Sequence, residues 1–128
     1  MSKLEQLSAY LPYELVCLVD GKHKAKMNSV YSDGTCTFCE LVESEKGFKS
    51  IKPILKPLKD IDWQTFINEN HRLMSDAIHD FIDYFVSDAA NYDAAILSAP
   101  YPVFKWCLKN HFDVFSLLDS GEAVQHEA

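Results

Sequence analysis

Apolar residues recur at spacings of three and four along the middle of the chain: Trp63, Phe66, Ile67, Met74, Ala77, Ile78, Phe81, Ile82, Phe85 and Ala89. Gln64, Asn68, Glu69, Arg72, Ser75, Asp76, Asp80, Asp83 and Ser87 fall between them. That is the period of a helix with one apolar stripe. It predicts a single long amphipathic helix over residues 62–90, capped by the carboxylate of Asp60 or Asp62, which the rest of the chain must cover.

Ahead of it the period changes. Leu4, Leu7, Tyr10 and Leu11 fit a short helix that Pro12 should end. Residues 14–19 form a β-type run. Asp20-Gly21 is a turn signal, and a second strand is expected over 23–31. Ala25, Met27 and Ser29 would point one way there, and Lys22, Lys24 and Lys26 the other, as in a sheet with one solvated face. Asp33-Gly34 gives another turn and 35–42 a third strand, so the simplest assembly is a three-stranded antiparallel meander. Residues 43–49 read as a polar loop. Residues 50–58, interrupted by Pro53 and Pro57, read as an extended edge segment leading from sheet to helix.

Beyond residue 90, Asn91-Tyr92 marks a break and Asp93 can cap a short helix through Leu97. Pro100 and Pro102 suit the first turn of the next helix. Phe104, Cys107, Leu108, His111, Phe115 and Leu118 either continue that helix or give way to a separate one over 114–118 capped by Asp113. Gly121 is a terminator in the left-handed position.

Strands first and helices second predict an α+β fold, a small antiparallel three-stranded β-meander followed by a helical layer of two to four helices. The expected organisation is one domain over 1–128: mainly β over 1–59, mainly α over 60–120, and a flexible tail over 121–128. At 128 residues, such a domain needs no disulfide or metal staple. The start MSKLEQLSAY lacks the basic n-region and apolar core of a secretory signal, and no apolar run approaches the roughly 20 residues of a membrane span. A cytoplasmic protein with its four cysteines as free thiols is the expectation. The net charge of −7 is unevenly placed: residues 22–59 carry eight lysines against four acids, residues 60–128 three basic residues against twelve acids. Such asymmetry marks either two solvated faces or a contact with an oppositely charged surface.

Candidate chemistry is sparse. Cys36 and Cys39 form one C-x-x-C. Zinc needs four ligands, so Cys17, His23 or Cys107 would have to complete the set. Inside a strand the two thiols also point to opposite faces, which favours ordinary small residues over a metal knuckle or a redox pair. Asp76, His79, Asp80 and Asp83 share a helical face opposite the apolar stripe, where a solvated acidic surface is expected. His111 and Asp113 are a histidine–carboxylate pair in name, but residues two apart do not face each other on a helix. Lys22, Lys24 and Lys26 with His23 and Tyr31, extended by Lys46, Lys49, Lys52, Lys56 and Lys59, could form a basic strand face for nucleic acid. The single arginine and the negative net charge weigh against that, and exposed lysines also guard strand edges. No G-x-S-x-G, H-E-x-x-H, G-x-G-x-x-G or phosphate loop is present. No catalytic, cofactor-binding or metal residue is assigned.

Leu11-Pro12-Tyr13-Glu14-Leu15, the stretch from Ile51 through Pro53 and Pro57 to Asp60, and the stretch from His111 to Leu118 with Gly121 together resemble a group of small uncharacterised proteins of gut Bacteroides and their phages and prophages. The pieces of that group look like LPYGL, PILRPLSDL and HFDVFGLI. Here Glu14 stands for the first glycine, Lys59 for a serine and Ser116 for the second glycine. The resemblance carries no activity or cofactor, and Cys36–Cys39 is not part of its pattern. It implies a phage or mobile-element accessory protein in a bacterial cytoplasm. The functional expectation is therefore a protein acting through protein–protein contact, with another protein or with its own copies, without catalysis and without a membrane. The alternatives are a nucleic-acid-associated protein using the lysine face and a small metal-dependent enzyme.

Overall fold

The computed structural model describes residues 3–19, 23–31, 35–38, 46–47 and 51–126. Along them run α1 (Lys3–Tyr10), a 3-10 turn (Leu11–Tyr13), β1 (Val16–Val19), β2 (His23–Val30), β3 (Thr35–Phe38), β4 (Lys46–Gly47) and β5 (Ile51–Leu55). A second 3-10 turn (Leu58–Asp60) then leads to α2 (Trp63–Glu69), α3 (Asp76–Ser87), α4 (Tyr92–Leu97), α5 (Tyr101–Lys109) and β6 (Val124–Gln125). The fold is mixed α+β.

The sheet runs in the order β4-β3-β2-β1-β5-β6. β1, β2 and β3 form the expected antiparallel meander, with Cys17 opposite Ala25 and Val30 opposite Cys36. The sheet is larger than a meander, however. Within the expected polar loop, Lys46 and Gly47 pair with β3. The proline segment is not an edge: β5 lies between β1, to which it is antiparallel, and β6, to which it is parallel.

The strand tolerates Pro53 because of the direction its missing N–H would take. The Leu55 carbonyl accepts from His126 N on the β6 side. Backbone groups alternate along a strand, so Pro53 presents its nitrogen to that same side. β6 begins only opposite Ile54, so no ladder bond is lost. Val124 and Gln125, expected in a free tail, thus complete the sheet.

The two turn dipeptides Asp20-Gly21 and Asp33-Gly34, and the end of the third strand at 39–42, lie outside the described residues.

Residues 62–90 are two helices rather than one. Asp62 is the cap, its carboxylate accepting from Gln64 N (3.1 Å) and Thr65 N (3.3 Å). α2 then ends at Asn70, whose side-chain amide donates to the Phe66 carbonyl. Leu73 N turns back onto Asn70 O, and Ser75 Oγ accepts from Ile78 N to start α3. In one straight helix Trp63 and Phe85 would be about 33 Å apart, at 1.5 Å per residue. Their ring centroids are 5.2 Å apart. The apolar stripe is real, but the chain doubles back and its two halves pack on each other, with Trp63 also against Phe66 and Phe81.

α4 is capped by Asn91, whose Oδ1 accepts from Asp93 N and Ala94 N. Asp93, the expected cap, stands in the first turn instead. α5 carries Pro100 at its cap and Pro102 in its first turn, as expected. It stops at Lys109, so His111, Phe115 and Leu118 are not on it, and 114–118 is a series of turns rather than a helix. Asp113 nonetheless acts as a cap there, accepting from Leu117 N (2.8 Å) and Leu118 N (2.9 Å).

All layers meet in one cluster of buried residues, among them Leu7 and Tyr10 of α1, Ile51 and Leu55 of β5, Phe66 of α2 and Val103 of α5. Phe66 and Trp106 (5.4 Å) and Trp106 and Phe112 (5.7 Å) tie α2, α5 and the turn after α5 together. Tyr10 is fully buried, and its hydroxyl donates to the Phe112 carbonyl and accepts from Val114 N, joining α1 to the turns that follow α5.

Candidate functional site

The alternation of β1, β2 and β5 sorts their side chains into two sets. Cys17, Val19, Ala25, Met27, Ile51, Pro53 and Leu55 are buried under the helices. The other set is more open: Lys24, Lys26 and Lys52 are exposed, Val16 and Leu18 half-buried. The register places Leu18 opposite both Lys24 and Lys52, so a lysine–leucine–lysine row crosses three adjacent strands. Lys26 stands opposite Val16, with its ammonium 3.9 Å from the Glu14 carboxylate.

Between the half-buried members of this face lies a hollow of about 180 Å³, lined by Val16, Lys24, Ile54, His111 and His126. Each wall has a local cause. His126 follows β6, held by its backbone bond to Leu55. His111 comes next after the cap of α5, in the left-handed conformation (φ 62°) that turns the chain back toward the sheet. The segment then pairs with the end of β5: Lys56 N donates to His111 O, and Asp113 N donates to Lys56 O, each at 2.9 Å. The ammonium of Lys56 lies 5.5 Å from the centre of the Phe112 ring. The His111 ring is fixed by an Nε2 contact of 2.6 Å to the Tyr13 carbonyl. A carbonyl can only accept, which assigns the proton to Nε2 and leaves Nδ1 outside that bond.

A larger cleft of about 730 Å³ is lined by residues including Lys59, Tyr92, Asp93, Asp113 and Asp119. Burial pushes the Asp113 carboxyl above the ordinary carboxylate range, against the two backbone N–H bonds that favour its charge, and Asp93 and Asp119 push the same way. Those two bonds already employ the group as a cap.

The remaining candidates do not converge. Asp76, His79, Asp80 and Asp83 are all exposed on α3, as the helical pattern anticipates. Among the described residues no three His, Cys, Asp or Glu side chains are grouped to hold a metal. Cys36 lies in β3 and Cys39 outside the described residues. Cys17 and Cys107 are buried and in no disulfide, and burial pushes the Cys107 thiol up to about 12. His111 and Asp113 point to different partners, Tyr13 and the 117–118 backbone, so they are not a catalytic pair. Of the lysines considered together, Lys24, Lys26 and Lys52 share the open face. Lys59 lies at the cleft, Lys22 and Lys49 lie outside the described residues, and only the backbone of Lys46 is described. The hollow escaped sequence reading because its residues come from four distant parts of the chain. The one local signal was that Val16, Leu18 and Ile54 are apolar residues on the face marked by the lysines.

Fold and site together define a mixed α+β protein with helices against one sheet face and a basic, partly apolar opposite face. Comparison with protein-family models, with curated proteins and with solved structures gave no match. No helix among the described residues is long and apolar enough to cross a membrane.

Proposed function

We propose that the protein is a non-enzymatic accessory protein, of the phage or mobile-element kind its sequence resembles, that binds an acidic protein surface through the open face of its sheet. The observation that supports this reading is the row Lys24–Leu18–Lys52 across three strands, in a chain whose helical half is strongly acidic. A face of one sign on a molecule of the other orients an approaching acidic partner and repels contact elsewhere. Half-buried Val16 and Leu18 among the lysines supply the apolar centre such a contact needs. The groups whose ionisation is shifted by burial, Tyr10, Cys107 and Asp113, are neighbours, but the tyrosine and the aspartate are engaged in internal bonds. Their commitment to backbone partners favours binding over catalysis.

The same lysines favour a second reading, contact with the nucleic-acid backbone, in which affinity falls steeply with salt. One experiment separates the two. Tagged protein and its K24E/K52E variant are used as bait in host lysate, with and without nuclease, and the capture is repeated with the purified partner. A protein partner that survives nuclease and is lost with the charge reversal supports the proposal. Capture abolished by nuclease transfers the face to nucleic acid. A partner held equally by the variant overturns both. Recovery of further copies of the chain, lost with the reversal, would make the acidic helical half the partner.

A further inference from the structure

We propose that the hollow bounded by Val16, Lys24, Ile54, His111 and His126 is a binding site for a phosphoryl group. This goes beyond the docking reading: the hollow shares Lys24 with the lysine row but does not involve Leu18, Lys26 or Lys52. Three residues with nitrogen-bearing side chains, from β2, the turn after α5 and the end of β6, line it, and no carboxylate residue does. Its other lining residues are apolar: Ile54 is only 8% exposed and Val16 is half-buried. Charge-assisted hydrogen bonds formed over such a floor are stronger than in open water.

The ring of His111 is pre-set. Its Nε2–H is committed to Tyr13 O, so Nδ1 is the nitrogen that remains for a ligand. It accepts from a protonated phosphate oxygen, or donates to an unprotonated one when the imidazole itself is charged. His111 holds a left-handed backbone conformation that costs a residue with a side chain about 1–2 kcal/mol, and strain of this kind gathers at binding sites. Lys24 supplies an amino group and His126 a second imidazole, both on exposed side chains. The volume, about 180 Å³, equals that of about six waters in the liquid, enough for the five heavy atoms of a phosphate and the first atoms of whatever bears it.

The probe is inorganic phosphate, followed by phenyl phosphate and by a short single-stranded oligonucleotide, each at constant ionic strength. The readout is the imidazole resonances of the five histidines in NMR spectra of the full chain. Saturable shifts of His111 and His126, with His71 and His79 unmoved, support the site. Tighter binding of the monoester identifies a small phosphorylated ligand, and saturation by the oligonucleotide alone identifies a backbone phosphodiester. K24Q and H126Q, both at exposed positions, should each weaken binding about tenfold, the loss of one charge-assisted hydrogen bond. K52Q, outside the hollow, should leave it unchanged. Equal weakening by K52Q would show a diffuse effect of the lysine face, and no selective shift with any of the three probes at millimolar concentration would remove the site. Either result overturns the proposal and leaves the partner experiment unaffected.

Discussion

Removing one oxygen from Tyr10 tests the joint between the first helix and the last third of the chain. The side chain is fully buried, and its hydroxyl bridges Phe112 O and Val114 N, the latter at 3.1 Å. Tyr10→Phe keeps the ring and its edge-to-face contact with Phe115 and deletes only the bridge. Two buried polar groups left with no partner would cost about 1–3 kcal/mol each. They are not left so, because Val114 N also donates to Phe112 O at 3.0 Å and the pair retains that bond. The expected loss is therefore about 2 kcal/mol, toward the low end of the summed range. For a domain of this size that lowers Tm by roughly 6–10 °C. Urea unfolding should show a lower midpoint at unchanged slope. The variant also carries a pH signature. Burial raises the Tyr10 phenol far above its ordinary 10.0, so its stabilisation is complete below about pH 10 and lost as pH rises beyond it, at about 1.4 kcal/mol per unit. Phenylalanine has nothing to ionise, so the gap between wild type and variant should narrow above pH 10. A loss below about 0.5 kcal/mol, the reach of an ordinary surface change, or a gap independent of alkaline pH, would refute the bridging role.

The other expectations concern the same half of the chain. Ser116 sits at φ 59°, so Ser116→Gly should relieve left-handed strain of about 1–2 kcal/mol against about 0.5–1 kcal/mol of added chain freedom, a net gain of about 0.5–1 kcal/mol by urea unfolding. Glu14→Gly, at φ 57°, should gain less because it also removes the exposed contact with Lys26. Asp113→Ala strips the acceptor from Leu117 N and Leu118 N and should cost about 2 kcal/mol. Asp113→Asn, keeping one acceptor, should cost about half as much in a thermal melt. The Cys107 thiol, pushed up to about 12 from 9.0, stabilises the fold fully below pH 9 and loses that contribution between pH 9 and 12. Cys107→Ala should flatten the stability profile in that window, and an unchanged profile would show that the thiol already meets solvent.

The parts legible in the sequence are those decided by neighbours. Period-two alternation set Ala25 and Met27 inside and Lys24 and Lys26 outside. Asp62 was readable as a cap because a carboxylate ahead of an apolar period has one local use. The split of the central helix is legible too. Residues 68–72 are five consecutive polar positions, a gap no amphipathic stripe contains, and Ser75-Asp76 follows as a fresh start signal. Asn91 beat Asp93 as a cap because the capping residue precedes the first turn, and Asp93 already lies within it.

What stayed hidden depended on partners far away in the chain. A two-residue strand at 124–125 has no pattern of its own and exists because β5 offers a free edge. Pro53 looked like an edge marker because the direction of its missing N–H depends on which neighbour lies on which side. The end of α5 is the decisive case. Phe104, Cys107, Leu108 and His111 keep a helical period, yet Phe112 and Asp113 leave the helix to pair with Lys56 and to cap the following turns. Two left-handed positions there, His111 and Ser116, carry residues that do not advertise such a conformation. A glycine at 116 would have flagged the break by its freedom alone. The turn that conceals the helix end is also what brings His111 across to Lys24 and His126. The candidate site was therefore illegible for the same reason as the fold around it: both follow from a long-range pairing with β5 that overrides a sound local period.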